Sequence, residues 1–311
     1  MLPSCIKTSN RSCGAAAARC MSTAAPARKI AFIGLGAMGY HMAGHLATYG
    51  DAPPLTVWNR TRAVSDKHAA EFASSEVTVA DTVREAAAGA SFVFICLPDS
   101  DVVSAVVNDI ADVVQAGTVV VDCTSGDPAK TRDIADVLDK VGACMVDAPI
   151  SGGPAGAQKA ILTTMVGGKG TAVASATPFL STFCKVVKHM GEAPGSGHAT
   201  KAINNALNTS HLCMAAEGLI ALQGLGSHAS GDNIVEGKQR GALGVSPDRA
   251  LAVINSSSGR SLQTEVRLPV EVLTGAFNYG FKVGLMLKDV RIANSIMREQ
   301  SCVFFLKEGK Q

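Results

Sequence analysis

The chain has 311 residues, 47% of them hydrophobic and 17% charged, with a formal net charge of +2, and at about 150 residues per domain that is enough for two domains with sizeable cores. So small a positive excess excludes a broad nucleic-acid-binding surface, the apolar content excludes disorder, and no apolar run reaches the roughly 18 residues that span a bilayer. Small molecules remain as the expected partners.

The first acidic residue is Asp51, while Lys7, Arg11, Arg19, Arg28 and Lys29 precede it among Ser, Thr, Ala and Cys. Residues 1 to 25 therefore read as an organelle transit segment, with the mitochondrial matrix as the expected address and a dispensable extension as the alternative. Nine cysteines, an odd number without a C-x-x-C pair, build neither a disulfide framework nor a zinc site. Cys96, Cys123, Cys144 and Cys184 lie in or beside apolar stretches, as small buried hydrophobes do. No metal is expected.

From Lys29 onward short apolar runs alternate with helical patterns. Lys29 to Ile33, Leu55 to Trp58, Phe92 to Leu97, Val119 to Asp122 and Cys144 to Asp147 read as strands, most of them apolar on both faces. A parallel sheet covered by helices on each side requires that pattern. His41 to Tyr49, Asp81 to Ala88, Asp101 to Val114 and Ala129 to Lys140 suit crossover helices. Gly191, Pro194, Gly195 and Gly197 then break the chain before a long helical pattern from His198 to Leu222, and strand signals are scarce beyond it. The expected fold is α/β: a doubly wound, Rossmann-type dinucleotide-binding domain over 28–192, followed by an all-helical domain over 193–311.

Gly34-Leu35-Gly36-Ala37-Met38-Gly39 follows the first strand and opens a helical pattern, the context that makes a G-x-G-x-x-G a dinucleotide-binding turn. The second strand ends in Asn59-Arg60-Thr61, without the carboxylate that would hold the ribose of NAD. Arg60 and Thr61 suit a 2′-phosphate instead, so the expected cofactor is NADP or NAD, with NADP favoured. A solvated loop cation is the alternative reading of Arg60. Leu97-Pro98 and Asp122-Cys123-Thr124-Ser125 end later strands, where ligands of such sheets lie. Ser125 fits either the nicotinamide side or a helix cap.

Ser151-Gly152-Gly153-Pro154 follows a strand and offers a carboxylate a hydroxyl and accessible N–H groups, although a loop without ligand reads the same way. Lys201 and Asn205 lie four apart on one helical face near its glycine-rich start. A partly desolvated Lys there suits acid–base work at a carbonyl or hydroxyl, against the alternative of an exposed Lys with a capping Asn. Phe281, Leu285, Lys288 and Ile292 form a helical stripe in which Lys288 either snorkels to water or points into the cleft between the domains.

Together these segments, with Gly197-x-x-x-Lys201-x-x-Asn204-Asn205 and Leu285-Met286-Leu287-Lys288-Asp289, resemble the β-hydroxyacid dehydrogenase family over about Lys29 to Met297. Within it the likeness is greatest to 3-hydroxyisobutyrate dehydrogenases and to glyoxylate/succinic semialdehyde reductases. The resemblance implies that Lys201 is the catalytic acid/base and that Asn205 orients substrate beside it. Ser151, Gly152 and Gly153 would hold the substrate carboxylate. Leu97, Pro98 and Ser125 would contact the dinucleotide together with the Gly34–Gly39 turn, and Lys288 would reach in from the helical domain. It further implies a small hydroxyacid or aldehyde-acid substrate, reversible hydride transfer, no metal and association of subunits through the helical domain. Leu225-Gly226-Ser227 and Leu243-Gly244-Val245 look like two versions of a junction the family makes once, with His228 to Arg240 as an added loop. The expected activity is NAD(P)-dependent 3-hydroxyisobutyrate oxidation in valine breakdown. An NADPH-dependent reductase and a catalytically silent dinucleotide-binding scaffold are the alternatives.

Overall fold

The computed structural model describes residues 28–50, 53–224 and 245–301. The transit-like segment, the doubled junction across 225–244 and the tail 302–311 lie outside the described residues.

Six short strands run parallel: β1 (Ile30–Ile33), β2 (Leu55–Trp58), β3 (Val77–Val79), β4 (Phe92–Ile95), β5 (Val119–Asp122) and β6 (Cys144–Asp147), in the spatial order β3-β2-β1-β4-β5-β6. The order reverses between β1 and β4, which opens a crevice outside their carboxyl ends. Alternation along each strand sends residues to opposite faces, so the sheet has two cores. Phe32, Phe94, Val121 and Val146 point to one, with Met42 and Leu46 of α1 (Gly39–Ala47) and Phe179 of α7 (Gly170–Leu180). Ile33, Val93, Ile95 and Val120 point to the other, with Val103 and Val107 of α4 (Ser100–Ile110) and Ile134 and Leu138 of α5 (Pro128–Lys140). Burial on both faces is why these runs carry almost no polar residue.

Two corrections concern the edge of this domain. Beyond β6 the sheet is mixed: β7 (Ile150–Ser151) and β6 pair antiparallel with β8 (Leu162–Gly167), which pairs in parallel with β9 (Cys184–Gly191). Thr163 and Thr164 interrupt the apolar pattern of β8, while Lys185, Lys188 and His189 stud β9, an edge strand that needs only one covered face. Strand β3 was equally silent in the sequence, because its three residues are only half buried or exposed.

After Gly191 the described chain is helical. Helix α8 (Ser196–Gly224) has 29 residues, roughly 44 Å at 1.5 Å per residue. It is followed by α9 (Pro247–Asn255), a π-helical segment Gln263–Val272 and α10 (Val283–Glu299). Ala202 and Ala206 of α8 meet Ala293 of α10, and these small side chains bring the two helices close beside Lys201 and Asn205. The apolar stripe expected on α10 is shifted. Phe281 precedes the helix and Leu285 is 38% exposed, whereas the buried line runs through Asp289 and Ala293. No helix among the described residues is long and apolar enough to cross a membrane. Cys96, Cys123, Cys144 and Cys184 pack in or against the first core as free thiols, and burial pushes Cys96 and Cys184 up to about 12, where little reactive thiolate forms.

Candidate active site

The turn between β1 and α1 is built for close approach. Gly34 has φ +98°, and a Cβ on it would overlap the Cys96 carbonyl oxygen; one on Gly39 would overlap the Gly34 carbonyl oxygen. Around Gly36, by contrast, the space within 4 Å is open, and Gly36 and Ala37 are exposed. Helix α1 has neither a capping side chain nor an acidic residue in its first turn, so its leading N–H groups and positive dipole end face that space. A pyrophosphate fits this opening.

Asn59 fixes the turn from the side. Its Oδ1 accepts from Leu35 N at 3.1 Å and its Nδ2 donates to the Thr61 carbonyl at 3.1 Å, joining the turn to the end of β2. Arg60 and Thr61 are exposed, and among the described residues Arg60 forms no ion pair, its neighbour Arg62 having taken Asp66 and Asp81. Next along the crevice, Leu97 N donates to Thr124 Oγ1 at 3.1 Å, locking the ends of β4 and β5 together, while Pro98 stands exposed.

The residue before helix α8 is Gly195, which has no side chain to cap it, and Asp147 at the end of β6 does so from a distance. Asp147 Oδ1 accepts from Gly195 N at 2.7 Å and Oδ2 from His198 N at 2.8 Å, so one buried carboxylate satisfies two leading donors and opposes the helix dipole. A Cβ on Gly197 would overlap the Met165 carbonyl oxygen, which is why the helix can start flush against the sheet. His198 is wholly buried. Its Nε2 lies 2.9 Å from the Thr124 carbonyl oxygen, which only accepts, so this nitrogen carries a proton; Nδ1 lies 2.7 Å from Thr131 Oγ1. Burial pushes the neighbouring Asp122 carboxyl up, against the opposing pull of His198, whose Nε2 is 3.9 Å from Asp122 Oδ2. These contacts set the orientation of the helix that presents Lys201.

Lys201 is 6% exposed and forms no hydrogen bond or ion pair with the described residues. Burial pulls its ammonium down to about 8, with the Asp289 carboxylate pulling the other way. Four residues on, Asn205 Nδ2 donates to Asp289 Oδ2 at 2.6 Å while its Oδ1 accepts from Asn204. Asp289 Oδ1 in turn lies 3.0 Å from Lys288 Nζ, and Lys288 donates to the Ser125 carbonyl oxygen. A continuous polar bridge thus runs from the crevice loop after β5, through Lys288 and Asp289 of α10, to Asn205 beside the buried amine. Ser151 lies at the end of β7, and Gly152, at φ +136°, begins the turn into α6 (Gly153–Gln158).

The structure therefore links Asn205, Lys288 and Ser125 through Asp289, with Lys201 four residues before Asn205 on α8, and Leu97 is bonded to Thr124, the residue before Ser125. Asp147, His198 and Asp289 were not singled out from the sequence. A carboxylate at the end of a predicted strand and a carboxylate beside Lys288 were the available signals. Among the described residues no group of three metal-ligating side chains forms.

Comparison with known proteins bears on the family and the fold. A family model described as the NAD binding domain of 6-phosphogluconate dehydrogenase matches residues 29–191, and one described as NAD-binding of NADP-dependent 3-hydroxyisobutyrate dehydrogenase matches residues 240–310. The chain is 32% identical over 268 residues to 2-(hydroxymethyl)glutarate dehydrogenase of Eubacterium barkeri, covering 85% of this chain and 81% of that protein. It is also 32% identical over 291 residues to mitochondrial 3-hydroxyisobutyrate dehydrogenase of Homo sapiens, covering 90% and 79%. A solved structure of Mycobacterium tuberculosis 3-hydroxyisobutyrate dehydrogenase with L-serine superposes with a TM-score of 0.75 at 26% identity, over 90% of this chain and 89% of that one. The chain belongs to the β-hydroxyacid dehydrogenase family, whose members are NAD(P)-dependent oxidoreductases of hydroxyacids.

Proposed function

We propose that the protein oxidises 3-hydroxyisobutyrate, reversibly, with NADP in preference to NAD. The observation that carries the reading is the Lys201 amine on α8, buried without a hydrogen-bond partner among the described residues and four residues before Asn205, which the Asp289–Lys288 bridge ties to Ser125 in the loop after β5. Bound there, a nicotinamide dinucleotide supplies the hydride acceptor. The chain does the rest: Ser151 and the N–H groups of Gly152 and Gly153 hold the substrate carboxylate, and Asn205 orients the hydroxyl toward Lys201 Nζ. As a neutral amine Lys201 takes the hydroxyl proton while hydride leaves the carbinol carbon; in reduction its ammonium returns the proton to the carbonyl oxygen. Lys288, held by Asp289 and Ser125, places a positive charge at the mouth of the crevice. Purified protein with 3-hydroxyisobutyrate is expected to reduce NADP; failure with both NADP and NAD would remove this reading.

The cofactor preference rests on Arg60, an exposed guanidinium free to meet a 2′-phosphate. Arg60→Ala is expected to raise the KM for NADP about 10- to 100-fold, the worth of a charge-assisted contact of roughly 1.5–3 kcal/mol, and to leave that for NAD unchanged. Equal effects on both would show that Arg60 reads no phosphate. The same Asn59-Arg60-Thr61 ending favours a second reading, an NADPH-dependent reductase of glyoxylate or succinic semialdehyde; the ratio of kcat/KM for these aldehydes to that for 3-hydroxyisobutyrate decides between them.

The acid-free leading segment supports a matrix address and with it a role in valine breakdown, checked by where a reporter fused to residues 1–25 accumulates. Association through the helical domain is supported by the apolar side chains it leaves in water, among them Met214, Ile220, Val253 and Phe277, each at least 64% exposed. Sedimentation of the purified protein as a monomer would contradict it.

A further inference from the structure

Outside the group around Lys201, a second cation is buried without a counter-ion. Arg267, on the π-helical segment, is 7% exposed; its Nε is wholly enclosed, and no nitrogen of its guanidinium reaches a protein acceptor among the described residues. Nearby carboxylates are engaged elsewhere: Glu265 pairs with Arg260 at 3.5 Å, and Glu271 accepts from Asn278 N at 2.7 Å. What Arg267 has is an aromatic floor, the Tyr279 ring, whose centroid lies 3.5 Å from its Cζ. Arginine is almost never buried unpaired, because the lost hydration is returned only by an anion.

Its position ties it to the reacting end. One turn earlier on the same segment, Gln263 Nε2 donates to Asn208 Oδ1, and Asn208 follows Lys201 by two turns on one face of α8, a rise of roughly 10 Å. On the other side Gly280, next to Tyr279, packs against Pro154: a Cβ on it would sit 3.9 Å from Pro154 Cγ, directly after Ser151-Gly152-Gly153. The segment is π-helical, with Leu273 N bonded to the Leu268 carbonyl five residues back across Pro269, a geometry that recurs at functional sites.

We infer that Arg267 on its Tyr279 floor is a second anion subsite, which takes the distal carboxylate of a hydroxyacid that carries one at each end. The inference rests on the proposed placing of the first carboxylate at Ser151-Gly152-Gly153, and it makes Arg267 a specificity-determining residue for dicarboxylic substrates. A planar fork over an aromatic ring suits the two oxygens of a carboxylate, which accept two parallel N–H groups.

The test is calorimetric titration of the dinucleotide-loaded protein with glutarate and with butyrate, neither of which can be oxidised. Glutarate is expected to bind about 10- to 100-fold more tightly than butyrate to the wild type. That preference is expected to vanish in Arg267→Met and to be kept in part in Arg267→Lys. Equal binding of the two acids by the wild type would overturn the inference, as would a preference that survives in Arg267→Met. So would Arg267→Met changing the oligomeric state while the glutarate preference stays, since the guanidinium would then serve a subunit contact. Should Arg267→Met fail to fold, the wild-type comparison still decides. Lack of turnover with every hydroxyacid would count against the proposed reaction while leaving the glutarate preference to speak for the subsite.

Discussion

Replacing Lys201 by alanine is expected to lower kcat about 10²- to 10⁴-fold, the usual worth of a positioned proton-transfer group, and to leave the dissociation constant for the dinucleotide unchanged. The reason is local. Among the described side chains of α8 no other polar group is both buried and free: His198 is held by Thr131 and Thr124, and the Asn205 amide by Asp289 and Asn204. Lys201→Arg is expected to be nearly as poor, because a guanidinium does not lose its proton in a protein. Stopped-flow turnover with saturating dinucleotide measures the effect. A Lys201→Ala protein with kcat within threefold of the wild type would show that the proton goes elsewhere.

Asp147→Ala is expected to be the most costly single change to stability outside the core. It removes an acceptor from two buried N–H groups, Gly195 and His198, each bond to a carboxylate being worth about 1.5–3 kcal/mol. Together that is roughly 3–6 kcal/mol, a large part of the 5–15 kcal/mol that holds a typical domain. The loss reaches the chemistry as well, since the first turn of α8 carries His198 three residues before Lys201. Asp147→Asn keeps one acceptor and turns an N–H toward another, so an intermediate loss is expected. Urea midpoints of the three proteins measure this; a cost below about 1 kcal/mol for Asp147→Ala would mean that Ser196 and water cap the helix without help.

Local pattern carried much of this molecule into view. Phe92–Ile95 and Val119–Asp122 are read as covered strands because both faces are apolar, and the Gly34–Gly39 turn is read from glycines that a close approach demands. Helix α8 was expected from His198 to Leu222 and runs two residues further at each end. What pattern did not carry is pairing across sequence. Asp147 and His198 meet over 51 positions and Asn205 and Asp289 over 84, and neither pair leaves a periodic trace. On α10 the periodic reading set Lys288 in an apolar stripe, either snorkelling to water or pointing into the cleft; the buried residues are Asp289 and Ala293, and Lys288 reaches Ser125 from beside them. Arg267 had no signal at all: only the fold shows that a cation within a polar stretch ends up enclosed.

The central claim is that a buried amine on α8 moves the proton, and the pH dependence of turnover in both directions tests it most directly. Oxidation needs Lys201 neutral, so its rate is expected to rise with pH through about 8 and then level; reduction needs the ammonium, so its rate is expected to be level below about 8 and to fall above it. Opposite limbs with one shared midpoint, both absent in Lys201→Ala, are the predicted result. Profiles that run in the same sense, or limbs that persist in Lys201→Ala, would contradict it.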